Sequence, residues 1–321
     1  MKTNKIVVVG SLNIDLVTQV DRLPRAGETV SGGDLTLFSG GKGANQAFAA
    51  ARLGARSAMI GEVGDDAFGG HLLDVLRGGG VDVSGVGRSN RSTGSACISV
   101  LPSGDNAIVI SPGANATLTP EVAVQRLREL DRGDIVLLQL EIPLETVEAV
   151  SELAAARGAI AILDPAPARP LPSTILRRVA YLTPNQSEAA LLLGEKHLEI
   201  GDFKDAAEAA RSLLKLGPSA VLLKLGTLGC FVATDDFFEG VAAFPVDAVD
   251  STGAGDTFNG AFAVGLSNGM PIPDAARFAN AAAALSVTRP GAQNSIPTRS
   301  EVMAFLQASD RPLQEAFSSC S

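Results

Sequence analysis

Short apolar runs alternate with amphipathic stretches along most of the chain. The runs predict buried strands over residues 5–10, 57–63, 134–140, 159–163 and 220–225. Apolar positions at helical spacing predict helices over residues 66–77, 119–130, 145–157, 203–216, 257–267, 272–287 and 298–307. Strand, helix and strand in this order connect by right-handed crossovers into a mostly parallel sheet with helices on both faces. The pattern therefore predicts a single α/β domain with a Rossmann-like sheet over residues 1–321.

Two segments depart from this alternation and carry no helix. Residues 12–39 and 93–111 contain short strand-like pieces broken by glycine, proline and asparagine turns. Together they predict a small sheet that serves either as a lid or as a partner-binding surface. Exposed sheet edges favour aggregation in a monomer, so we expect lid-to-lid pairing in a homodimer. The last residues, 309–321, have little to pack against and are predicted to form a flexible tail.

The composition argues against several classes of function. The formal net charge is −9 and no dense basic run offsets it, so we expect no nucleic-acid partner. No apolar run approaches a membrane span, and the first one is too short for a signal peptide. Cys97, Cys230 and Cys320 lack zinc-site spacing and indicate a reducing, cytoplasmic setting. His71 and His197 are predicted at the surface, which leaves little material for a Ser-His-Asp triad.

Polar residues and one glycine recur just after the predicted strands. They are Asp15, Glu141, Asp164, Asn185 and Gly226. The carboxyl ends of parallel strands share one edge of the sheet, where α/β folds bind ligands, so we expect the ligand there. Asn13 and Asp15 stand two positions apart in an extended stretch, so their side chains share one face. They either close an Asx turn on their own backbone or converge on sugar hydroxyls.

Residues 250–260 (DSTGAGDTFNG) combine a glycine turn, a helix start and a carboxylate. Gly253 and Gly255 allow consecutive N–H groups to point at one spot, beside the positive end of the following helix. That arrangement suits a phosphate group. Asp256 either caps this helix or takes the proton of an acceptor hydroxyl during phosphoryl transfer to an alcohol. The whole segment favours the second interpretation, because it supplies a base and anion-binding N–H groups together.

Residues 39–47 (SGGKGANQA) form a second glycine-rich helix start. A Walker phosphate loop is excluded because Gly43 stands where its Ser or Thr would bind Mg²⁺, and the preceding glycine is missing. The glycines instead allow a ligand to approach the backbone, with Lys42 and Asn45 projecting toward it.

These two glycine-rich stretches resemble the two signatures of the ribokinase-like (PfkB) family of sugar kinases, in the same order and at a similar separation. Further stretches similar to that family are residues 10–15 (GSLNID), 139–141 (QLE), 164–168 (DPAPA) and 183–188 (TPNQSE). The likeness covers residues 5 to about 306. It implies a ribokinase-like α/β fold, whose mostly parallel sheet has helices on both faces and is joined by a small β-sheet lid.

The resemblance also implies a role for each matching residue. Asp256 is expected to be the catalytic base, with Gly253, Ala254 and Gly255 as the anion hole. The expected sugar-binding residues are Asn13, Asp15, Gly41, Lys42, Asn45, Glu141 and Asp256. Those expected around the nucleotide are Asn185, Lys224, Gly226, Thr227, Gly229, Gly255 and Asn280. The motif associated with Mg²⁺ is matched by Asn185 and Glu188, and the expected monovalent-cation loop by Asp250, Thr252, Ser286, Arg289, Gly291 and Ser295.

The activity that the resemblance implies is MgATP-dependent transfer of the γ-phosphoryl group to O5 of D-ribose, with K⁺ as an activating cation. The nearest alternative is a sister kinase for deoxyribose, a nucleoside, fructose or a sugar phosphate. In the last case a substrate phosphate would be bound by arginines that are otherwise simply solvated, namely Arg22, Arg25, Arg88 and Arg91. A non-catalytic binding protein on the same fold is disfavoured by the retained Asp256. A dinucleotide-dependent oxidoreductase is disfavoured because no G-x-G-x-x-G follows the first strand.

Overall fold

The computed structural model describes residues 4–195 and 198–318. Its strands are β1 (Ile6–Val9), β2 (Asn13–Gln19), β3 (Thr36–Gly40), β4 (Ser57–Gly64), β5 (Asp82–Ser89), β6 (Gly94–Val100), β7 (Asn106–Ser111), β8 (Ile135–Leu138), β9 (Ile160–Leu163), β10 (Tyr181–Leu182), β11 (Ala220–Lys224), β12 (Gly229–Thr234) and β13 (Phe238–Ala242). Its α-helices are α1 (Lys42–Arg52), α2 (Ala67–Gly78), α3 (Pro120–Arg126), α4 (Leu144–Arg157), α5 (Ser173–Leu176), α6 (Gln186–Leu193), α7 (Phe203–Leu214), α8 (Ala254–Ser267), α9 (Ile272–Ser286) and α10 (Arg299–Ser318).

One large sheet contains nine strands in the order β13-β12-β11-β10-β9-β8-β1-β4-β5. Strands β11 to β5 in this order are parallel, and β12 and β13 extend the sheet with antiparallel pairing. In β1, Val9 pairs with Leu138 on one side and with Ile60 on the other. The chain adds β4 and β5 on one side of β1 and later strands on the other. The gap past β1 and β8 is therefore the topological switch point, where such sheets bind ligands.

The large sheet is buried on both faces. Ile6 and Val8 of β1 pack in one core with residues of α1, α2, α8 and α9, while Val7 and Val9 pack in the other with residues of α3, α4, α6 and α7. Successive side chains of a strand point to opposite faces, so a strand covered on both sides must be apolar throughout. The continuous apolar runs in the sequence have this cause, and the predicted α/β class is confirmed.

Four further strands form the separate small sheet that the sequence predicts, in the order β3-β2-β6-β7. The chain passes from β1 almost directly into β2, where Asn13 pairs with Gly40 of β3 and Gly94 of β6. It returns to the main body through a 3-10 turn at Gly113–Thr117. Large apolar side chains stay exposed on and beside the small sheet, namely Leu35, Leu37, Ile108, Val109 and Ile110.

The sequence pattern misses or misjudges several elements. It does not predict the strands at the ends of the large sheet, β5, β12 and β13. Helix α3 ends at Arg126 instead of residue 130, because the backbone tightens and the N–H of Arg128 bonds to the carbonyl of Gln125 at 3.3 Å. Helix α10 continues to Ser318 instead of ending near residue 307, so the predicted tail from residue 309 begins as helix. Residues 319–321 of that tail lie outside the described residues.

Several expectations about single residues can also be compared with the structure. His71 is exposed, as predicted, whereas His197 lies outside the described residues. Cys97 is an exposed thiol and Cys230 a buried one, and Cys320 lies outside the described residues. In the part of the chain that the structure describes, no helix combines the length and the apolar character needed to cross a membrane.

Candidate active site

A cleft of about 580 Å³ opens past the carboxyl ends of the central strands. It is lined by residues from the ends of β9 and β11 and from the starts of α1, α6 and α8. They are Lys42, Asp164, Ala166, Asn185, Gln186, Ser187, Glu188, Lys224, Gly226, Ser251, Gly253, Ala254, Gly255 and Asp256. The cleft thus lies at the sheet edge where the polar residues after the strands predict a ligand.

The first turn of α8 faces this cleft. Gly253 precedes the helix with φ 73°, in the left-handed region that side chains rarely adopt. A Cβ at Gly253 would also lie 3.2 Å from the Cβ of Ala292. Among the described residues, none accepts a hydrogen bond from the N–H groups of Gly255 and Asp256. These N–H groups and the helix dipole contribute positive potential at the start of α8, which suits an anion.

Asp256 lies in the same turn and is buried, with 6% of its surface exposed. Its Oδ2 accepts a hydrogen bond from Asn45 Nδ2 at 2.9 Å, and its Oδ1 accepts one from Gln46 Nε2 at 3.0 Å. Burial, with the charge of Asp164, raises the pKa of Asp256 to about 6 against the opposing charge of Lys42. A carboxylate with this pKa is ionised at neutral pH and is more basic than an exposed aspartate, which suits proton abstraction.

Lys42 opens α1 and also lines the cleft. Its backbone N–H donates to Glu141 at 3.2 Å, which fixes the start of the helix. Burial lowers the pKa of its ammonium group, but the negative charges of Asp256, Asp164, Glu141 and Glu188 outweigh that effect and raise it. Lys42 is therefore a permanent cation among four carboxylates, in a position to meet an anionic ligand.

A further group of predicted residues lies where β2 and β3 meet the start of α1. Gly41 has φ 89°, and a Cβ there would lie 2.7 Å from the backbone N of Asn13. Asn13 and Asp15 lie in β2 and their side chains share a face. Burial and the charge of Glu141 raise the pKa of Asp15 to about 6. Glu141 accepts a hydrogen bond from the hydroxyl of Ser11, which joins the carboxyl ends of β1 and β8 across the switch point.

The remaining acids of the cleft, Asp164 and Glu188, follow β9 and β10, beside Lys224 at the end of β11. Asn185 and Glu188 form a capping box at the start of α6, with the Asn185 side chain accepting from the Glu188 N–H at 2.8 Å. Lys224 Nζ pairs with Asp164 at 2.9 Å. Burial and the charge of Asp164 raise the pKa of Glu188, while Lys224 and Lys42 oppose the rise.

The residues predicted around the nucleotide divide into two groups. Gly226 lines the cleft, and Thr227 is exposed in the same 3-10 turn, which leads to Gly229 in β12. Asn280 instead donates from Nδ2 to the carbonyls of Val241 and Ala242, at 2.9 and 3.2 Å. It joins α9 to β13 and does not line the cleft.

The residues predicted for the cation loop lie together before α8 and after α9. Asp250 accepts hydrogen bonds from Thr252 N and Oγ1 at 2.9 and 2.7 Å, and from Gly291 N at 2.8 Å. The carboxylate therefore connects the two segments. Its oxygen atoms are already engaged by three donors.

The other side chains of this loop are also engaged. The hydroxyls of Ser286 and Ser295 each donate at 2.8 Å to a backbone carbonyl three residues earlier. Arg289 forms an ion pair with Glu301 at 2.6 Å. A cation bound here would therefore depend mainly on backbone carbonyls.

Two polar residues at the site carry no role from sequence alone. Asn115 donates to Asn13 Oδ1 at 2.7 Å and accepts from Leu12 N at 2.9 Å, so it fixes the orientation of the Asn13 amide. Nothing in its local sequence signals this contact. Gln46 belongs to the glycine-rich stretch that leads into α1, and it lies in the second turn of that helix, but the sequence does not show that it contacts Asp256.

The described residues include no cluster of three His, Cys, Asp or Glu that could hold a metal ion by itself. Mg²⁺ typically binds through one or two carboxylates plus substrate phosphates, and Glu188 in the cleft fits that pattern. The site as a whole combines helix N–H groups, two lysines and a buried basic carboxylate. It can bind a phosphorylated ligand and accept a proton from a neighbouring hydroxyl.

Comparisons with known proteins agree with this description. Residues 3–299 match the pfkB family of carbohydrate kinases. The ribokinase of Bacillus subtilis is 43% identical over 301 residues, which cover 94% of this chain and 99% of the relative. The crystal structure of Thermotoga maritima ribokinase matches 95% of this chain and 99% of its own, at 42% identity and a TM-score of 0.85. Arabidopsis thaliana ribokinase, complexed with ribose and ATP, matches 95% of this chain and 99% of its own, at 34% identity and a TM-score of 0.86.

Proposed function

The chain belongs to the pfkB family of carbohydrate kinases and is a phosphotransferase, and from this premise we propose that it phosphorylates D-ribose at O5 with ATP, giving ribose 5-phosphate and ADP. The observation that carries the proposal is the cleft at the start of α8, where buried Asp256 lies beside N–H groups with no acceptor among the described residues. Ribokinases match over nearly the whole chain at 43% and 40% identity, whereas a deoxyribokinase does so at 34%. The choice of ribose and ATP follows the more similar ribokinases and the ribokinase structure that is complexed with ribose and ATP.

Asp256 serves as the general base in this proposal. The O5 hydroxyl approaches its carboxylate, transfers its proton and attacks the γ-phosphorus, and the bond to the β,γ-bridging oxygen of ATP breaks. Gly253, Ala254 and Gly255 form the anion hole that stabilises charge on the transferring group. The raised pKa of Asp256 supports the role of base, and the N–H groups of Gly255 and Asp256, which have no acceptor among the described residues, support the anion hole.

The sugar lies between β2 and the start of α1. Asn13, Asp15 and Glu141 bind its hydroxyls, and Gly41 allows the ring to approach the backbone. Asn45 connects the sugar to the base, since its amide already bonds Asp256 at 2.9 Å. Lys42 faces both the sugar and the transferring phosphoryl group. The domain thus extends over residues 1–321 as one kinase unit, with the small sheet closing over the sugar as a lid and excluding water.

ATP occupies the other end of the cleft. Lys224 and Gly255 contact its phosphates. The two residues lie next to each other in the cleft, because a Cβ at Gly255 would lie 3.5 Å from Lys224 Nζ. Gly226, Thr227 and Gly229 line the nucleotide, and Asn280 supports that wall through β13. Asn185 and Glu188 would hold Mg²⁺ together with the phosphates. When bound, the ion neutralises charge on the β- and γ-phosphates.

A monovalent cation, K⁺, is proposed to bind beside the anion hole. Asp250 connects the segment before α8 to the segment after α9 through hydrogen bonds. The proposed cation loop in and beside these segments contains Thr252, Ser286, Arg289, Gly291 and Ser295. The side chains of Thr252, Ser286, Arg289 and Ser295 are engaged with neighbouring groups and Gly291 has none, so the ligands are backbone carbonyls. The cation would steady the segment that leads into α8, and turnover should rise when K⁺ replaces a large organic cation.

The small sheet is also proposed to pair with that of a second copy. Its exposed apolar residues, Leu35, Leu37, Ile108, Val109 and Ile110, would be covered by such pairing. Sedimentation equilibrium at micromolar concentration should give twice the chain mass of 32.8 kDa. Val109→Lys, at 68% exposure, should shift the mass toward one chain without unfolding the protein. A wild-type mass of one chain would contradict the dimer.

The acceptor is tested by ATP turnover on ribose, deoxyribose, fructose, adenosine and fructose phosphates, each with and without K⁺. We expect selective turnover of ribose, increased by K⁺. Turnover on a different acceptor would leave the kinase and Asp256 in place but overturn the sugar. Absence of turnover on every acceptor would favour a ligand-binding protein on the same fold.

A further inference from the structure

A single buried glutamine connects the proposed base to a second carboxylate. Gln46 of α1 is completely buried. Its Nε2 donates to Asp256 Oδ1 at 3.0 Å and to Asp164 Oδ2 at 3.1 Å. Asp164 in turn pairs with Lys224 at 2.9 Å. One amide group therefore lies between the base and the ion pair on the nucleotide side of the cleft.

The orientation of this amide is fixed from behind. Gln139, just after β8, donates from Nε2 to Gln46 Oε1 at 2.7 Å. Gln139 is itself buried and packs against Gly10, where a Cβ would lie 2.0 Å from Gln139 Oε1. With its oxygen engaged, Gln46 presents both hydrogens of Nε2 to the two carboxylates. If the amide were flipped, its oxygen would face Asp164 and Asp256, and neither carboxylate would receive a hydrogen bond from it.

Two buried carboxylates that share one donor pose an electrostatic problem. The negative charge of Asp164 adds to burial in raising the pKa of Asp256, and Lys42 opposes the rise. The charged groups around this pair come from α1, the ends of β8, β9 and β11, and α6. They are Lys42, Glu141, Asp164, Lys224 and Glu188. Without a donor between them, Asp164 and Asp256 would favour a shared proton, which would remove the base.

We propose that Gln46 is a positioning residue, whose amide holds the Asp256 carboxylate ionised and correctly oriented between Asp164 and the acceptor hydroxyl. Asn45 and Gln46 each hold one oxygen of Asp256, so the remaining lone pairs face the cleft in a fixed direction. Gln46 does not line the cleft and so acts through Asp256. The inference deepens the proposed function, because it rests on Asp256 being the base.

The first test replaces the amide by an apolar side chain of similar length, Gln46→Met. The carboxyl carbon of Asp256 is followed by ¹³C NMR titration, with its resonance assigned by its loss in Asp256→Asn. A hydrogen bond to a charged group contributes enough that its removal should raise the pKa of Asp256 by about 1 to 2. The turnover number for ribose should fall about 10- to 100-fold at pH 8 through misorientation, while the KM for ribose changes less than about threefold.

A second variant, Gln46→Glu, keeps the side-chain shape and replaces the amide by a third carboxyl group, which shares protons with Asp164 and Asp256. It should move the acid limb of the turnover number to higher pH than Gln46→Met does. This variant decides the question if Gln46→Met fails to fold. The matched control is Ser57→Ala, because Ser57 is buried against the same helix and bonds the Ala47 carbonyl at 2.8 Å but touches no carboxylate. The control should leave both the pKa of Asp256 and the acid limb unchanged.

An unchanged pKa of Asp256 and an unchanged acid limb in both Gln46 variants would overturn the inference. Equal shifts in Ser57→Ala would do the same, because they would indicate a general effect of loosening α1. The NMR titration needs no substrate, so it separates the two proposals. Wild-type protein that lacks ribose turnover would remove the proposed function, whereas the titration would still report whether Gln46 controls the ionisation of Asp256.

Discussion

Two aspartates flank the same glycine turn and have opposite environments. Asp256, after the turn, is buried, is held by side-chain amides and has its pKa raised to about 6. Asp250, before the turn, is only partly buried. Burial tends to raise its pKa, but hydrogen bonds from Thr252 and Gly291 outweigh burial, so the pKa of Asp250 lies below its usual range.

The difference shows that environment, not residue type, determines what each carboxylate can do. The carboxylate of Asp250 accepts hydrogen bonds from three donors and is a weak base, so it suits a structural role between two loop segments. Asp256 keeps lone pairs toward the cleft and gains basicity from burial. The glycine turn between them lets the chain pass from a partly exposed loop into a buried helix within a few residues.

The largest effect should come from removing the carboxylate of Asp256. Asp256→Asn keeps the shape of the side chain but cannot accept a proton, so the turnover number for ribose should fall about 10³- to 10⁴-fold. Ribose affinity, measured by calorimetry, should change only a few-fold. Turnover close to that of the wild type would mean that Asp256 is as structural as Asp250.

Crowding the anion hole should have the next largest effect. A side chain at Gly255 would project toward Lys224 Nζ, 3.5 Å from its Cβ, into the part of the cleft that faces the helix start. Gly255→Val should therefore lower turnover about 100-fold by keeping a phosphate from the N–H groups. Thermal unfolding should be nearly unchanged, because Gly255 has helical backbone and, apart from its own helix, only Lys224 among the described residues comes within 4 Å of that Cβ. Unimpaired turnover would exclude an anion at this turn.

The pH dependence of turnover should separate Asp256 from Asp15. Both have a pKa raised to about 6, so each loses its charge as the pH falls through that value. Asp256 must be ionised for the chemical step, so the turnover number should fall about tenfold per pH unit below 6. Asp15 acts in sugar binding, so its protonation should appear in kcat/KM. Identical profiles in Asp15→Asn and wild type for kcat/KM would remove Asp15 from the sugar site.

The smallest effect should come from Asp250→Asn, the same chemical change on the other side of the turn. It weakens three hydrogen bonds at a partly exposed site, so turnover at saturating K⁺ should fall less than about threefold and the unfolding temperature by about 2–4 °C. The K⁺ concentration for half activation should rise. A loss of turnover as large as that of Asp256→Asn would erase the contrast between the two aspartates.

The parts of the fold that the sequence predicts are those with local signals. Strands buried on both faces need continuous apolar runs, so the sequence predicts β1, β4, β8, β9 and β11. The sequence does not predict strand β5, because this strand lies at the sheet edge and its sequence, DVSGVGRS, contains only two valines among small and polar residues. The sequence also predicts the two glycine-rich helix starts, because the glycines that form their turns, such as Gly41 and Gly253, are adjacent to the helices in the chain.

The connections within the site are not local, and the sequence cannot show them. Gln46 reaches Asp164 and Asp256 across 118 and 210 positions of the chain, and Asn115 reaches Asn13 across 102. Only the folded sheet brings these side chains together. The opposite pKa directions of Asp250 and Asp256 likewise depend on burial and on donors from distant segments, which no local pattern contains.

The most direct test of the central claim, that Asp256 is the base, is the single-turnover rate of phosphoryl transfer to ribose in Asp256→Asn as a function of pH. Rapid-quench measurements at saturating ATP and ribose would compare it with the wild type from pH 5 to 8. We predict that the wild-type rate falls below about pH 6 and that the variant is slow at every pH, with no acid limb. A variant that keeps the same limb, or transfers phosphate within tenfold of the wild-type rate, would contradict the claim.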